Sequence, residues 1–227
     1  MLKKLFSFVF LCFIFFLMPM AMAAIDYSDF TDVSSIPQWA EKPITELINQ
    51  DVVVTRSFET FGPEDLVSRG ELSYWVARGA GLNRNTSGGP HFPDVPEDHE
   101  YYDEIETLYN HDLIFPNSSG IFKPSTAVTR GEVAHVIFRA FEFDKNDFED
   151  NTAGGPHFED VDISDWHYEA VETVYNKGLM DAPENDEFHP NETITRAEIA
   201  ALVYEAQLVQ RSDDLNLRKA DCSDTDE

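Results

Sequence analysis

The chain has 227 residues and carries 43 Asp and Glu against 16 Lys and Arg, a net charge of −27 at pH 7. Holding phosphates requires a basic face, so a surface this acidic excludes nucleic acid as a natural partner. Of its two cysteines, Cys12 leaves with an N-terminal leader, so no internal disulfide can staple what remains.

That leader opens with Lys3 and Lys4, continues as an apolar run from Leu5 to Leu17, and closes on the small-residue stretch Ala21-Met22-Ala23. The order of charge, apolar core and cleavage site is that of a secretory signal peptide over residues 1–23, with a retained anchor as the alternative. The apolar run is short for a bilayer span and ends at Pro19, and no other stretch is apolar enough to cross a membrane.

Three units follow, spanning 24–86, 87–150 and 151–211. The first opens on Phe30-x-Asp32-Val33 and runs into Trp39, after which Ala40, Ile44, Leu47 and Ile48 fall on one helical face. Pro43 lies within this stretch and is expected to shorten the helix, since proline is tolerated only in an opening turn. A polar loop and Phe61-x-Pro63 then lead to Ser68-Arg69-Gly70-Glu71, where a second helix begins and carries Leu72, Val76 and Ala77. The second unit repeats the order with Phe92-x-Asp94-Val95, a helix bearing Tyr102, Ile105, Leu108 and Tyr109, then Phe122-x-Pro124 and Thr129-Arg130-Gly131-Glu132. In the third come Phe158-x-Asp160-Val161, Trp166, a helix bearing Tyr168, Val171, Val174 and Tyr175 that ends at Gly178, then Phe188-x-Pro190 and Thr195-Arg196-Ala197-Glu198. Residues 212–227 are polar and acidic and read as a disordered tail, in which Cys222 either cross-links two chains or is idle.

Arg69, Arg130 and Arg196 are 61 and 66 residues apart, and repetition at such a period dictates architecture. Each unit alone has a marginal core, so the three are expected to pack together. Ser/Thr-x-x-Glu is a capping box, whose hydroxyl and carboxylate each satisfy a backbone N–H at a helix start. The arginine inside it is different, because a cation there opposes the helix dipole at a cost of about 0.3–1 kcal/mol. Its threefold recurrence points either to an anion held jointly by guanidinium and helix N-terminal amides, or to ion pairs with acidic neighbours of the adjacent unit. The two readings can coexist.

Phe-x-Asp-Val, a helix with Trp39 or Trp166 near its start, Phe-x-Pro and Thr-Arg-Ala-Glu, at this spacing and from about Asp26 to Gln210, resemble the S-layer homology module in three tandem copies. The resemblance implies an all-α pseudo-trimer in which the first helices form a central bundle and the second helices and loops form three prongs. It also implies a secreted protein of the bacterial cell wall or surface, whose inter-module grooves bind a wall polysaccharide bearing a pyruvate ketal. Arg69, Arg130 and Arg196 would contact the ketal carboxylate, with Ser68, Thr129 and Thr195 shaping the helix ends beside them and Trp39 and Trp166 adding aromatic surface. Asp32, Asp94 and Asp160 are read as fixing the turn before each first helix, or as lining the groove.

Departures from the family pattern bear on the grooves. Glu100 stands where Trp39 and Trp166 stand in the other units, Asp51 and Asp112 replace a helix-ending glycine, and the first unit is the most degenerate, so fewer than three grooves are expected to bind. His91 and His157 recur beside glycine-rich connectors, but without a nearby cysteine or second histidine they read as linker residues and not as metal ligands. No cofactor loop or nucleophile motif is present. A carboxylate pair for glycoside hydrolysis is decided by spacing in three dimensions, which leaves an acidic hydrolase as one rival and a surface adaptor that binds envelope proteins as another.

Overall fold

A computed structural model describes residues 26–57, 59–143, 156–181 and 186–223. The signal peptide, the Gly154-Gly155 connector and the side chain of Cys222 lie outside them. Among the described residues there are six α-helices and no sheet: α1 (Gln38–Asn49), α2 (Arg69–Gly79), α3 (Tyr102–Asn110), α4 (Arg130–Ala140), α5 (Tyr168–Asn176) and α6 (Arg196–Ser223). Each repeat thus supplies two helices, and none of the six is long and apolar enough to cross a membrane.

One apolar core runs through all three repeats, from Phe30 to Ala206. The first helices bury Ala40, Ile44 and Leu47 in α1, Ile105 and Leu108 in α3, and Val171 and Val174 in α5, and α3 and α5 also bury Glu106, Thr107, Glu172 and Thr173. In the second helices small residues such as Gly70, Ser73 and Gly79 in α2 or Gly131, Ala134 and Ala140 in α4 are buried and let neighbours approach closely. α2 packs against both α4 and α6, while α3 lies on α2, α5 on α4, and α1 on α6. The expectation that the first helices form the centre is therefore corrected. Each packs chiefly on one second helix, and the contacts within one class of helix are those of α2 with α4 and α6.

Each first helix leans on the second helix of the preceding repeat, and α1 leans on the last, which joins the two ends of the chain. The loop connections follow the same cyclic order. Isolated bridges join Ser68 to Ala127, Thr129 to Thr193 and Leu66 to Thr195, so each helix start is paired with the loop of the next repeat and the third returns to the first.

Three local expectations change. With 12 residues against nine in α3 and α5, α1 is the longest first helix and not the shortest. It starts a turn early at Gln38, so Pro43 falls where the opening turn of the equivalent helices lies, and the extra turn simply precedes it. Asp51 and Asp112 adopt the left-handed conformation at φ 58° and 59°, close to Gly178 at 67°, so aspartate serves as the helix stop in place of glycine. And α6 continues to Ser223 where a disordered tail was expected from Ser212, because no glycine or proline interrupts it and Ala, Leu, Gln, Arg and Lys favour the helix.

Candidate functional site

The capping boxes form as expected at α2 and α4. Ser68 and Thr129 accept from the backbone N–H of Glu71 and Glu132, whose carboxylates accept in return. At α6, Glu198 accepts from the backbone and the hydroxyl of Thr195. The other first-turn amides are also committed. Arg69 N–H donates to Thr126 and Gly70 N–H to Pro124, Arg130 to Glu192 and Gly131 to Pro190, Arg196 to Asp65 and Ala197 to Pro63. A joint cradle of guanidinium and helix amides is therefore not what the structure holds, since the loop carbonyls of the next repeat already occupy those donors.

Behind each loop sits the aspartate of Phe-x-Asp-Val. Asp32 accepts from the N–H groups of Phe61 and Gly62, Asp94 from Phe122 and Lys123, and Asp160 from Phe188 and His189. These partners lie 28–30 residues away, so the aspartates grip the Phe-x-Pro loop of their own repeat and not the turn before the first helix. The grip holds Gly62, Lys123 and His189 in the left-handed region at φ 73°, 63° and 58°. Burial resists ionisation at Asp94, yet the amides of Phe122 and Lys123 outweigh it and hold the carboxyl below its ordinary range.

The three arginines insert at the same place in each junction, with unequal results. Their Nε atoms donate to the Phe122, Phe188 and Phe61 carbonyls at 2.8, 2.9 and 2.9 Å, and each guanidinium stacks on the ring of that phenylalanine at 4.6–4.7 Å. Arg196 is wholly buried: Nη1 meets Glu71 at 2.6 Å, Nη2 donates to Val54 O, and Trp75 covers the other face. Burial draws its pKa down to about 10, opposed by the charge of Glu71, so it remains a cation at neutral pH. Arg69 pairs with Glu132 at 2.8 Å and stays partly accessible. Arg130 donates to Asp181 O and Phe188 O, and among the described residues no carboxylate comes within ion-pair distance of it. Burial pulls its pKa down as well. The acidic-neighbour reading thus describes Arg69 and Arg196 as ion pairs, while Arg130 feels the charge of Glu198 in the same cleft without pairing to it.

Two of the junctions open into clefts. Arg130 and exposed Trp39 both line a cleft of 360 Å³, together with Met180, Asp181, Glu198, Leu202 and Glu205. Arg69 lies in a second, more apolar cleft of 220 Å³ with Leu72, Phe115, His135 and exposed Trp166. The third junction is filled from within. Arg56 reaches both Asp65 and Glu71, and Tyr101 packs so closely on α2 that a Cβ on Gly70 would stand 2.4 Å from its ring. Burial and the nearby charge of Glu71 push the Tyr101 hydroxyl to about 12. The corresponding positions in the other units are Asn117 and Pro183, so Arg56 has no counterpart there and no repeat signal marks it.

His91 and His157 do more than shape connectors: each pairs through Nδ1 and its backbone N–H with a fully buried glutamate, Glu106 or Glu172. The signal was available, because Ile105-Glu106 and Val171-Glu172 place an acid beside the apolar stripe of each first helix. Among the described residues no group of three His, Cys, Asp or Glu is placed to hold a metal ion.

Comparison with known proteins places this geometry. The family profile for the S-layer homology domain matches three times, at residues 29–73, 91–134 and 157–200. An endoglucanase from Bacillus sp. (strain KSM-635) is 28% identical over 174 residues, 77% of this chain and 18% of its own length. A cellulosome-anchoring protein from Acetivibrio thermocellus is 27% identical over 146 residues, 63% of this chain and 32% of its own. An S-layer protein from Bacillus thuringiensis subsp. finitimus is 30% identical over 122 residues, 53% of this chain and 14% of its own. The chain therefore spans a third or less of each of these relatives.

Proposed function

The chain belongs to the S-layer homology family, and from that premise we propose that it attaches to the cell envelope, at the cell wall or surface, by binding an anionic wall polysaccharide in its Arg130 and Arg69 clefts. The observation that carries this reading is Arg130: a partly desolvated guanidinium with no carboxylate partner among the described residues, sharing with an exposed tryptophan a cleft the size of a sugar ring or two. A carboxylate arriving there completes the coordination that Glu71 provides for Arg196, and the indole of Trp39 offers a face for an apolar sugar surface. The pyruvate ketal of a wall glycan supplies such a carboxylate. Arg69 binds more weakly, because Glu132 competes for the same guanidinium. Arg196 binds nothing from solution and acts as a fastener.

The role is anchoring and not catalysis. The relatives named as anchoring and S-layer proteins support it, and the endoglucanase aligns with the chain over 18% of its own length. Titration of Arg130→Ala with a pyruvylated wall-glycan fragment tests the reading. Loss of about 1.5–3 kcal/mol of binding, the range for a hydrogen bond to a charged group, is expected with the fold intact. Unchanged affinity in a folded variant, or capture of an envelope protein in place of the glycan, counts against it.

A further inference from the structure

Two positions recur at every contact between a first helix and the second helix it leans on: the fifth residue after the motif arginine, and the residue just ahead of the first helix's apolar stripe. The three junctions fill them differently. Tyr74 and Tyr101 meet edge-on at 6.3 Å between α2 and α3, Ala201 and Ala40 hold these positions between α6 and α1, and His135 and His167 hold them between α4 and α5. In the last junction the two rings bracket Trp166, His135 at 5.1 Å and His167 at 5.0 Å, both edge-on. His167 is buried next to Gly131 at the start of α4, and neither of its ring nitrogens has a hydrogen-bond partner among the described residues. Trp166 is 62% exposed and, with His135, walls the Arg69 cleft.

The charges around these rings do not welcome a proton. His135 has Arg139 on its own helix and His167 across the contact, and the two cavities it lines bring Arg69 with its paired Glu132 on one side and His111, Glu142 and Glu169 on the other. His167 has Asp165 and Asp160 in its own loop, but Asp160 already accepts from the Phe188 and His189 amides, and the His189 ring lies 3.9 Å from the same carboxylate. Burial, with Arg139 and His167 adding to it at His135, accordingly holds both rings below their ordinary pKa. A ring displaced into water takes up its proton at the ordinary value of about 6.5, so falling pH favours displacement and neutral pH favours the seated pair. We propose that His135 and His167 form a proton-operated latch on Trp166: neutral, they hold the indole in place as a wall of the Arg69 cleft, and protonated, they release it. The Arg130 cleft, with Trp39 and alanine at both positions, has no such latch. Loss of a ligand from the Arg69 cleft in acid rests on the glycan reading; the movement of Trp166 does not.

Two-dimensional NMR of the ligand-free protein between pH 7.5 and pH 5 tests the latch, with the Trp166 indole N–H as the probe and that of Trp39 as the internal reference. Trp166 should move along a sigmoid with its midpoint below about 6.5, and Trp39 by about a tenth as much or less. His135→Ala combined with His167→Ala copies the Ala201 and Ala40 of the Arg130 junction and should flatten the Trp166 curve; His135→Gln with His167→Gln, which keeps bulk without the proton, should flatten it as well. A flat wild-type curve, a curve that survives both double substitutions, or a shift that coincides with loss of helical circular dichroism overturns the latch. A pyruvylated N-acetylhexosamine, titrated at each end of the range, reads the consequence: its midpoint at Trp166 should rise at least about threefold from pH 7.5 to pH 5 in the wild type and not in the variants. An unchanged wild-type midpoint overturns the release. If the sugar moves neither tryptophan at either pH while Trp166 still titrates, the glycan reading falls and the latch stands.

Discussion

Replacing Arg196 by alanine separates a fastener from a ligand contact. The side chain is fully buried, and its removal takes away the Phe61 and Val54 hydrogen bonds, the short Glu71 pair and the packing between Phe61 and Trp75. Breaking a buried pair by deleting one partner costs about 3–5 kcal/mol, because the other charge stays behind without compensation. Here Glu71 retains Arg56 at 2.7 Å, which softens that part, while two carbonyls lose their donor at about 1–3 kcal/mol each, so the total stays near 3–5 kcal/mol. For a chain of this size each kcal/mol moves Tm by roughly 2–4 °C, which gives a fall of about 6–20 °C. Urea unfolding followed by circular dichroism, checked against a thermal melt, measures it, with Arg130→Ala, which loses two carbonyl bonds but no ion pair, as the smaller comparison. An Arg196→Ala protein that melts like the wild type but loses glycan binding would refute the reasoning, since it would make the buried guanidinium a ligand contact.

Three further outcomes are expected. Gly70→Ala should destabilise by about 1–3 kcal/mol in urea titration, since its Cβ would meet Tyr101 at 2.4 Å and Pro124 O at 3.3 Å. The folded-state pKa of Asp94 lies below its unfolded one, so its stabilisation is present above about pH 4 and is lost as pH falls through the folded value. Asp94→Asn should therefore be less stable at neutral pH and converge on the wild type in acid. Among the described residues neither ring nitrogen of buried His167 has a hydrogen-bond partner, and burial lowers its pKa, so protonation in the unfolded chain weakens the fold as pH drops below about 6.5. His167→Phe should be at least as stable as the wild type, and by a margin that grows from pH 8 to pH 5.

Much of the fold was legible because its signals are local. Helical stripes, capping boxes and the Phe-x-Pro landmarks each depend on neighbours within a few residues, and every stripe residue named in the second helices is buried. The sidedness of the packing was legible in part. Gly70 and Gly131 stand where Tyr101 and His167 come close, and the motif carries Ala197 where the corresponding residue is only Ala40, a pattern present in the sequence but not part of the expectations drawn from it. The arginines' partners were not legible, because Glu132 and Glu71 are 63 and 125 residues from the arginines they meet, and only closure of the chain brings them together. For the same reason the sequence left all three arginines equal. What makes them unequal is Arg56, a residue without repeat, and Tyr101, which fills the junction where the other units carry an exposed tryptophan. Fewer than three working grooves were expected from Glu100, the two helix-stop aspartates and a degenerate first unit; in the structure it is the Arg196 junction that Arg56 and Tyr101 fill.

Calorimetric titration of the wild-type protein with a pyruvylated wall-glycan fragment and its depyruvylated counterpart tests the central claim most directly. The account predicts binding that requires the ketal and saturates at no more than two sites, the Arg130 cleft first. Equal binding of the two fragments, or a third site of comparable affinity, would contradict it.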